Sequence, residues 1–129
     1  MMYMKAVLFG DDRIADKIMK TSDPKKIKAL GKKVSNFHEP TWRAHCLDVV
    51  KTANLAKFSQ NEKLKKKLFN TYPKILVEAS PYDKIWGIGL AEDEPEAFDK
   101  IKWKGHNLLG YVLTEVRDQL VCKEGQITA

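Results

Sequence analysis

The sequence predicts a mainly helical fold with a small β element, folded as a single compact domain. Three observations carry that expectation. Helix-start signals recur along the chain, and apolar residues repeat at three- and four-residue spacing behind most of them. One short apolar run, Ile75-Leu76-Val77, leads into a turn rich in proline and glycine and reads as a strand.

Residues 3–9 read as the end of a helix stopped by Gly10. Asp11 or Asp12 can cap the next helix, in which Ile14, Ile18 and Met19 form an apolar face. Ser22-Asp23-Pro24 places a capping residue before a proline at the first helical position, and Ile27, Leu30 and Val34 make the stripe that follows. Gly31 weakens that helix, and residues 35–38 form a break. Pro40 opens the longest helix, about 40–58, with Trp42, Cys46, Val49, Ala53 and Ala56 on one face. Asn61 begins a helix that turns Leu64 and Leu68 inward and lysines outward. Residues 74–79 read as a strand, with 84–89 as its partner. Asp93-Glu94-Pro95-Glu96 starts a short acidic turn ending near Lys100. The last helix, about 107–121, buries Leu109, Val112, Leu113, Val116 and Leu120, and a polar tail, 123–129, follows.

The stretch from Glu78 to Leu90 crowds together a proline, a carboxylate, a tryptophan and two glycines. Such a turn suits a ribose or a planar ligand. Gly87 and Gly89 let a ligand approach the backbone, Trp86 can stack, and Asp83 can hold hydroxyls or face a developing cation. It is equally the composition of a hairpin with Trp86 in the core.

At 129 residues the chain is one domain in length, and its 43% hydrophobic and 31% charged residues are those of an ordinary globular protein. No apolar run is long enough to span a membrane. Cys46 and Cys122 are far apart with no CxxC, which fits free thiols in a reducing cytoplasm. The three histidines have no metal-ligand spacing with the cysteines, so neither a metal nor another cofactor is expected. No P-loop, GxSxG or GxGxxG occurs. The formal charge is +6, with lysines concentrated from Lys17 to Lys33 and from Lys63 to Lys67. Solvated helix faces explain such runs, as does a phosphate-bearing substrate or nucleic acid; arginine is too scarce for base-specific reading of duplex DNA. Lys57-Phe58-Ser59-Gln60-Asn61 ends a helix with polar side chains that suit C-capping or ligand contacts, and Asn107 stands where an N-cap is needed.

Lys5-Ala6-Val7-Leu8-Phe9-Gly10-Asp11, Asp23-Pro24, Ala29-Leu30-Gly31, Trp42, Lys57 to Asn61, and Glu78-Ala79-Ser80-Pro81 follow one another in order. Tyr82-Asp83, Trp86-Gly87-Ile88-Gly89, Trp103-Lys104-Gly105, Asn107 to Gly110 and Val116-Arg117 continue the series. Over about residues 4–120 this ordered set resembles the NADAR family, named for NAD and ADP-ribose, which includes the N-glycosidases of riboflavin intermediates.

The resemblance implies cleavage of an N-glycosidic bond between a ribose and a base. The substrates it implies are ADP-ribose attached to guanine, on nucleic acid or free, or a ribosyl-phosphate intermediate. Lys5 matches the family lysine thought to attack the anomeric carbon and form a Schiff base; without the resemblance it reads as an exposed helix lysine. Asp83 would then hold ribose hydroxyls or stabilise positive charge, and Trp86 would wall the base, with Gly87 and Gly89 admitting it. Gln60, Asn61 and Asn107 would contact phosphate or hydroxyls, and Glu78 would orient Lys5 or Asp83. The alternatives are a module that binds ADP-ribose or NAD without cleaving it, or a truncated member without activity.

Family members usually carry some thirty or more residues before the Lys-Ala helix, including a strand and a Glu-His motif. The expectation is therefore an N-terminally short NADAR-like domain over 1–122. Its strands at 74–79 and 84–89 would then present an unpaired edge that favours a homodimer.

Overall fold

The structure, a computed structural model, describes residues 1–125. The described residues form α1 (Met2–Leu8), α2 (Asp12–Met19), α3 (Pro24–Gly31), α4 (Glu39–Ser59), α5 (Glu62–Phe69) and α6 (Leu108–Lys123). Two short 3-10 turns, Pro95–Phe98 and Lys100–Lys102, precede α6. None of these helices is long and apolar enough to cross a membrane. The polar tail expected from 123 begins inside α6, and its residues 126–129 lie outside the described residues. Backbone contacts gather the chain into two compact units, Met1–Val50 and Lys51 onward, and the division falls within α4.

In the first unit the sequence signals act as written. Gly10, at φ 69°, ends α1 in a conformation that a side chain disfavours. Asp11 caps α2 by accepting from Ile14 N at 3.0 Å, and Asp23 caps α3 by accepting from Lys25 N at 3.0 Å. Ala6, Ile14, Ala15, Ile18 and Val34 are buried as one cluster, with Met2, Phe9, Ile27 and Leu30 packed against it. Burying an isoleucine such as Ile14 or Ile18 contributes about 1.5–3 kcal/mol. Gly31, which weakens α3 in isolation, is what lets α1 approach it: a Cβ there would lie 2.1 Å from Met2 Sδ.

Asp11 does a second job. Its Oδ2 accepts from Ser35 N at 2.8 Å and from the Ser35 hydroxyl at 2.7 Å, tying α2 to the segment after α3. The Ser35 hydroxyl, then the Ser35 and Ile14 amides, hold the Asp11 carboxyl below its ordinary value of 3.8. A carboxyl depressed on folding stabilises the fold above its unfolded pKa, and that contribution fades as pH falls through the folded value. The melting temperature should therefore drop steeply below about pH 4, and Asp11→Asn should flatten that acid limb in a pH series of thermal melts.

The second unit departs from the expectation. Among the described residues there is no strand, so the small β element at 74–79 and 84–89 is corrected to irregular backbone. The polar groups of this segment find other partners than a ladder. Leu76 N donates to Thr114 Oγ1 at 2.9 Å, Leu76 O accepts from Asn107 Nδ2 at 3.0 Å, and Glu78 N donates to Asn107 Oδ1 at 2.9 Å. With no strand there is no unpaired sheet edge, which removes the route to a homodimer read from the sequence; Ile75, Val77 and Ile85 are exposed, but as side chains of an irregular segment. The short acidic turn takes 3-10 form, over Pro95–Phe98 and Lys100–Lys102. Buried in this unit are Leu68, Ile88, Leu90, Val112, Val116, Leu120 and Val121.

Candidate active site

Lys5 is the most unusual cation of the first unit. Its place on α1 points Nζ at the last turn of α3, where it donates to Gly31 O at 2.8 Å. That carbonyl belongs to a helix end and has no partner one turn on, so an ammonium satisfies it well. The same Nζ lies 4.7 Å from the Phe37 ring centroid and 5.6 Å from that of Trp42. Phe37 is set by an edge-on contact with Phe9, at 5.4 Å between centroids. The lysine is half-buried, and no carboxylate among the described residues pairs with it.

Two opposed effects act on this amine. The carbonyl and the rings favour the ammonium, each cation–π contact by about 0.5–1 kcal/mol. Burial without a counter-ion disfavours it, and desolvation pushes the Lys5 pKa below its ordinary 10.5. Sequence reasoning placed Trp42 in a core stripe and Phe37 in a break. Only their convergence on Nζ shows what they do.

In the second unit, residues 78–90 form a loop held by backbone hydrogen bonds at its neck and at its tip. Ser80 N and Ile88 N both donate to Glu78 O at 3.0 Å, closing its neck. The N–H groups at the start of α6 donate to its tip: Asn107 N to Gly87 O at 3.0 Å, Leu108 N to Ile85 O at 3.2 Å, and Leu109 N to Trp86 O at 3.0 Å. Two orphan donors of this helix N-terminus, on Leu108 and Leu109, are thus taken by protein carbonyls, which leaves that end less to offer a phosphate. The residues anchored in the core are Ile88 and Leu90, while Trp86 is only half-buried.

Asp83 Oδ1 accepts from Ile85 N at 3.0 Å and Trp86 N at 2.8 Å, so the carboxylate aims the tryptophan's backbone. Asp83 Oδ2 has no partner among the described residues. Glu78 contributes its backbone to the loop, and its carboxylate is likewise without a partner there. A Cβ on Gly87 would meet the Asp83 and Glu78 carbonyls at 2.8 and 2.9 Å, so this glycine allows two chain segments to touch. Gly89 is buried at φ 70°. Asn107 is fully buried at φ 53°, and both ends of its amide hold residues 76–78.

Glu78, Asp83, Trp86, Gly87, Gly89 and Asn107 thus belong to one loop system, whereas Lys5 is built within the first unit. Gln60 and Asn61 stand exposed at the junction of α4 and α5. Asn61 Nδ2 donates to Lys57 O at 2.6 Å and Ser59 Oγ to Ala56 O at 3.2 Å, which is C-capping of α4. The sequence reading passed over the weight of Arg117. Its guanidinium is 1% exposed, donates to Thr71 Oγ1 at 3.0 Å and to Lys74 O, pairs with Asp118 at 2.9 Å and lies over the Tyr72 ring. An arginine inside an otherwise apolar helix face was the available signal. No group of histidine, cysteine or carboxylate side chains suited to a metal occurs among the described residues.

Comparison with known proteins agrees with this arrangement of motifs. N-glycosidase R617 of Acanthamoeba polyphaga mimivirus is 49% identical over 119 residues, covering 92% of this chain and 70% of that protein. Protein irg-1 of Caenorhabditis elegans is 48% identical over 121 residues, covering 92% of this chain and 57% of that protein. N-glycosidase YbiA of Escherichia coli (strain K12) is 31% identical over 122 residues, covering 95% of this chain and 69% of that protein. The profile of the NADAR domain matches residues 1–121, and the chain belongs to the NADAR family.

Proposed function

We propose that this chain is an N-glycosidase that cleaves the ribose–base bond of an ADP-ribosyl or ribosyl-phosphate substrate, with Lys5 as the nucleophile. Relatives named N-glycosidases at 49% and 31% identity support the reaction class. The observation that supports Lys5 is its environment, a half-buried amine with a neutral hydrogen-bond partner and no counter-ion. At its ordinary value of 10.5 a lysine is neutral in only about one molecule in 3,000 at pH 7, and each unit of depression raises that fraction about tenfold.

In this reading the Nζ lone pair forms a bond to the anomeric carbon as the carbon–nitrogen bond to the base breaks. The base leaves with the electron pair and takes up a proton. The sugar ring then opens to an imine on Lys5, the Nζ proton passing to the ring oxygen. Water adds to the imine and releases the ribosyl aldehyde and the free lysine. Asp83 holds ribose hydroxyls through Oδ2, and Trp86 walls the base. Gly87, Gly89 and Asn107 keep their loop in shape, and Glu78 and Gln60 contact the substrate's polar groups, with Asn61 closing α4 beside them.

Liquid chromatography of the base set free from ADP-ribosylated guanosine tests the reading, because a module that only binds releases none. If the amine must be neutral, kcat/KM should rise with pH and level off below 10.5. Tight binding without any base release, or a rate indifferent to pH across that range, would contradict it.

A further inference from the structure

The chain's charge is more unevenly placed than its composition implies. Residues 17–33 hold seven lysines and one carboxylate, a net +6 that equals the whole formal excess of the chain; the remaining residues balance at 16 basic and 16 acidic. The one carboxylate, Asp23, is engaged in capping α3. None of the seven ammonium groups has an ion-pair partner among the described residues. In the second lysine run one of the four, Lys65, sits between Glu62 at 2.9 Å and Glu124 at 2.5 Å, and the run is shorter, with four lysines against seven. Unpaired cations held close together repel one another, and a polyanion relieves that repulsion while releasing its own counter-ions.

The shape of the patch narrows the partner. Lys17, Lys26 and Lys33 line an open depression of about 280 Å³ whose other walls are Thr21, Ala29 and Leu30. The charges continue along α3, eight residues and hence about 12 Å long, with Lys25, Lys26 and Lys28 in it and Lys32 and Lys33 just after; α2 adds Lys17 but also carries Asp12 and Asp16. That length covers about three phosphates of a strand, at roughly 3.4 Å of axis each. A single free phosphate would leave most of the lysines unused. The stretch contains no arginine and no aromatic residue, so it has no means of reading bases or stacking on them.

From this we infer that the α2–α3 face binds the phosphate backbone of a nucleic acid strand, without regard to sequence. α3 also supplies the carbonyl that holds Lys5, so strand binding and the candidate nucleophile share one helix. The inference stands apart from the glycosidase reading, since an unmodified strand tests it and no turnover is measured.

The experiment is fluorescence anisotropy with a labelled single strand of about 20 nucleotides and mixed sequence, titrated at several salt concentrations. Binding should weaken with salt along a slope of about −2 to −3, which is three to four phosphates at roughly 0.7 each. Lys17→Glu, Lys26→Glu and Lys33→Glu together should weaken it at least about tenfold. Lys63→Glu, Lys66→Glu and Lys67→Glu make the same charge change on α5 and should leave it within about twofold. Glutamine replaces glutamate at the first three positions if thermal melts show the triple variant to be unfolded. Equal losses in both variants, no measurable binding, or displacement by tripolyphosphate at equal phosphate concentration would each overturn the inference.

Discussion

Replacing Lys5 with arginine is expected to lower turnover by at least about a thousandfold while leaving the fold intact. The guanidinium can still donate to Gly31 O and lie on the Phe37 and Trp42 rings, so the contacts that seat the side chain survive. What it cannot do is lose its proton and attack a carbon. Lys5→Met is the companion variant. It removes the hydrogen bond to Gly31 O as well and should cost about 1 kcal/mol in a denaturant melt. If the arginine variant turns over normally, the amine is no nucleophile and its burial serves only to join α1 to α3.

The largest loss of stability is expected at Asn107. Asn107→Ala removes the acceptor for Glu78 N and the donor for Leu76 O at a fully buried position. It also places a Cβ residue with no compensating hydrogen bonds at φ 53°. Two orphaned backbone groups and the backbone strain together should cost about 3 kcal/mol. Asn107→Gly tolerates the dihedral but still lacks the amide, so it should recover about 1 kcal/mol of that loss. Because the same amide holds the neck of the loop that carries Asp83 and Trp86, turnover should fall in both variants even below their melting points. Full stability with a selective loss of substrate affinity would instead make Asn107 a ligand contact.

These two residues also mark how far the sequence could be read. The helices were legible because their signals are local: Asp11, Asp23-Pro24 and the glycine after α1 each act on the adjacent backbone. The strands were misread because an apolar run between turn residues says only that side chains are buried or paired, not with what. Here Asn107 and Thr114, some 30 to 40 residues further on, satisfy residues 76 and 78. The first turn of α6 does the same for residues 85–87. No local pattern encodes a loop held by a distant side chain.

The candidate site divides in a similar way. Lys5 stood out only because the ordered motifs resemble the NADAR family, since by composition it is one lysine among many. Its surroundings could not be read at all. Gly31 looked like a flaw in α3, Phe37 like part of a break and Trp42 like core, and each turns out to face the same ammonium. The glycines of the loop were legible as unusual, yet the space over Gly87 goes to neighbouring carbonyls.

The most direct test of Lys5 as the nucleophile is borohydride reduction during turnover, followed by mass spectrometry of the digested protein. An imine on Lys5 would be fixed as a secondary amine. The peptide that contains Lys5 should then gain the mass of the reduced ribosyl group, and the Lys5→Arg protein should gain nothing. Base release by the wild-type chain with no adduct on that peptide, under conditions where reduction outpaces hydrolysis, would contradict covalent catalysis by Lys5.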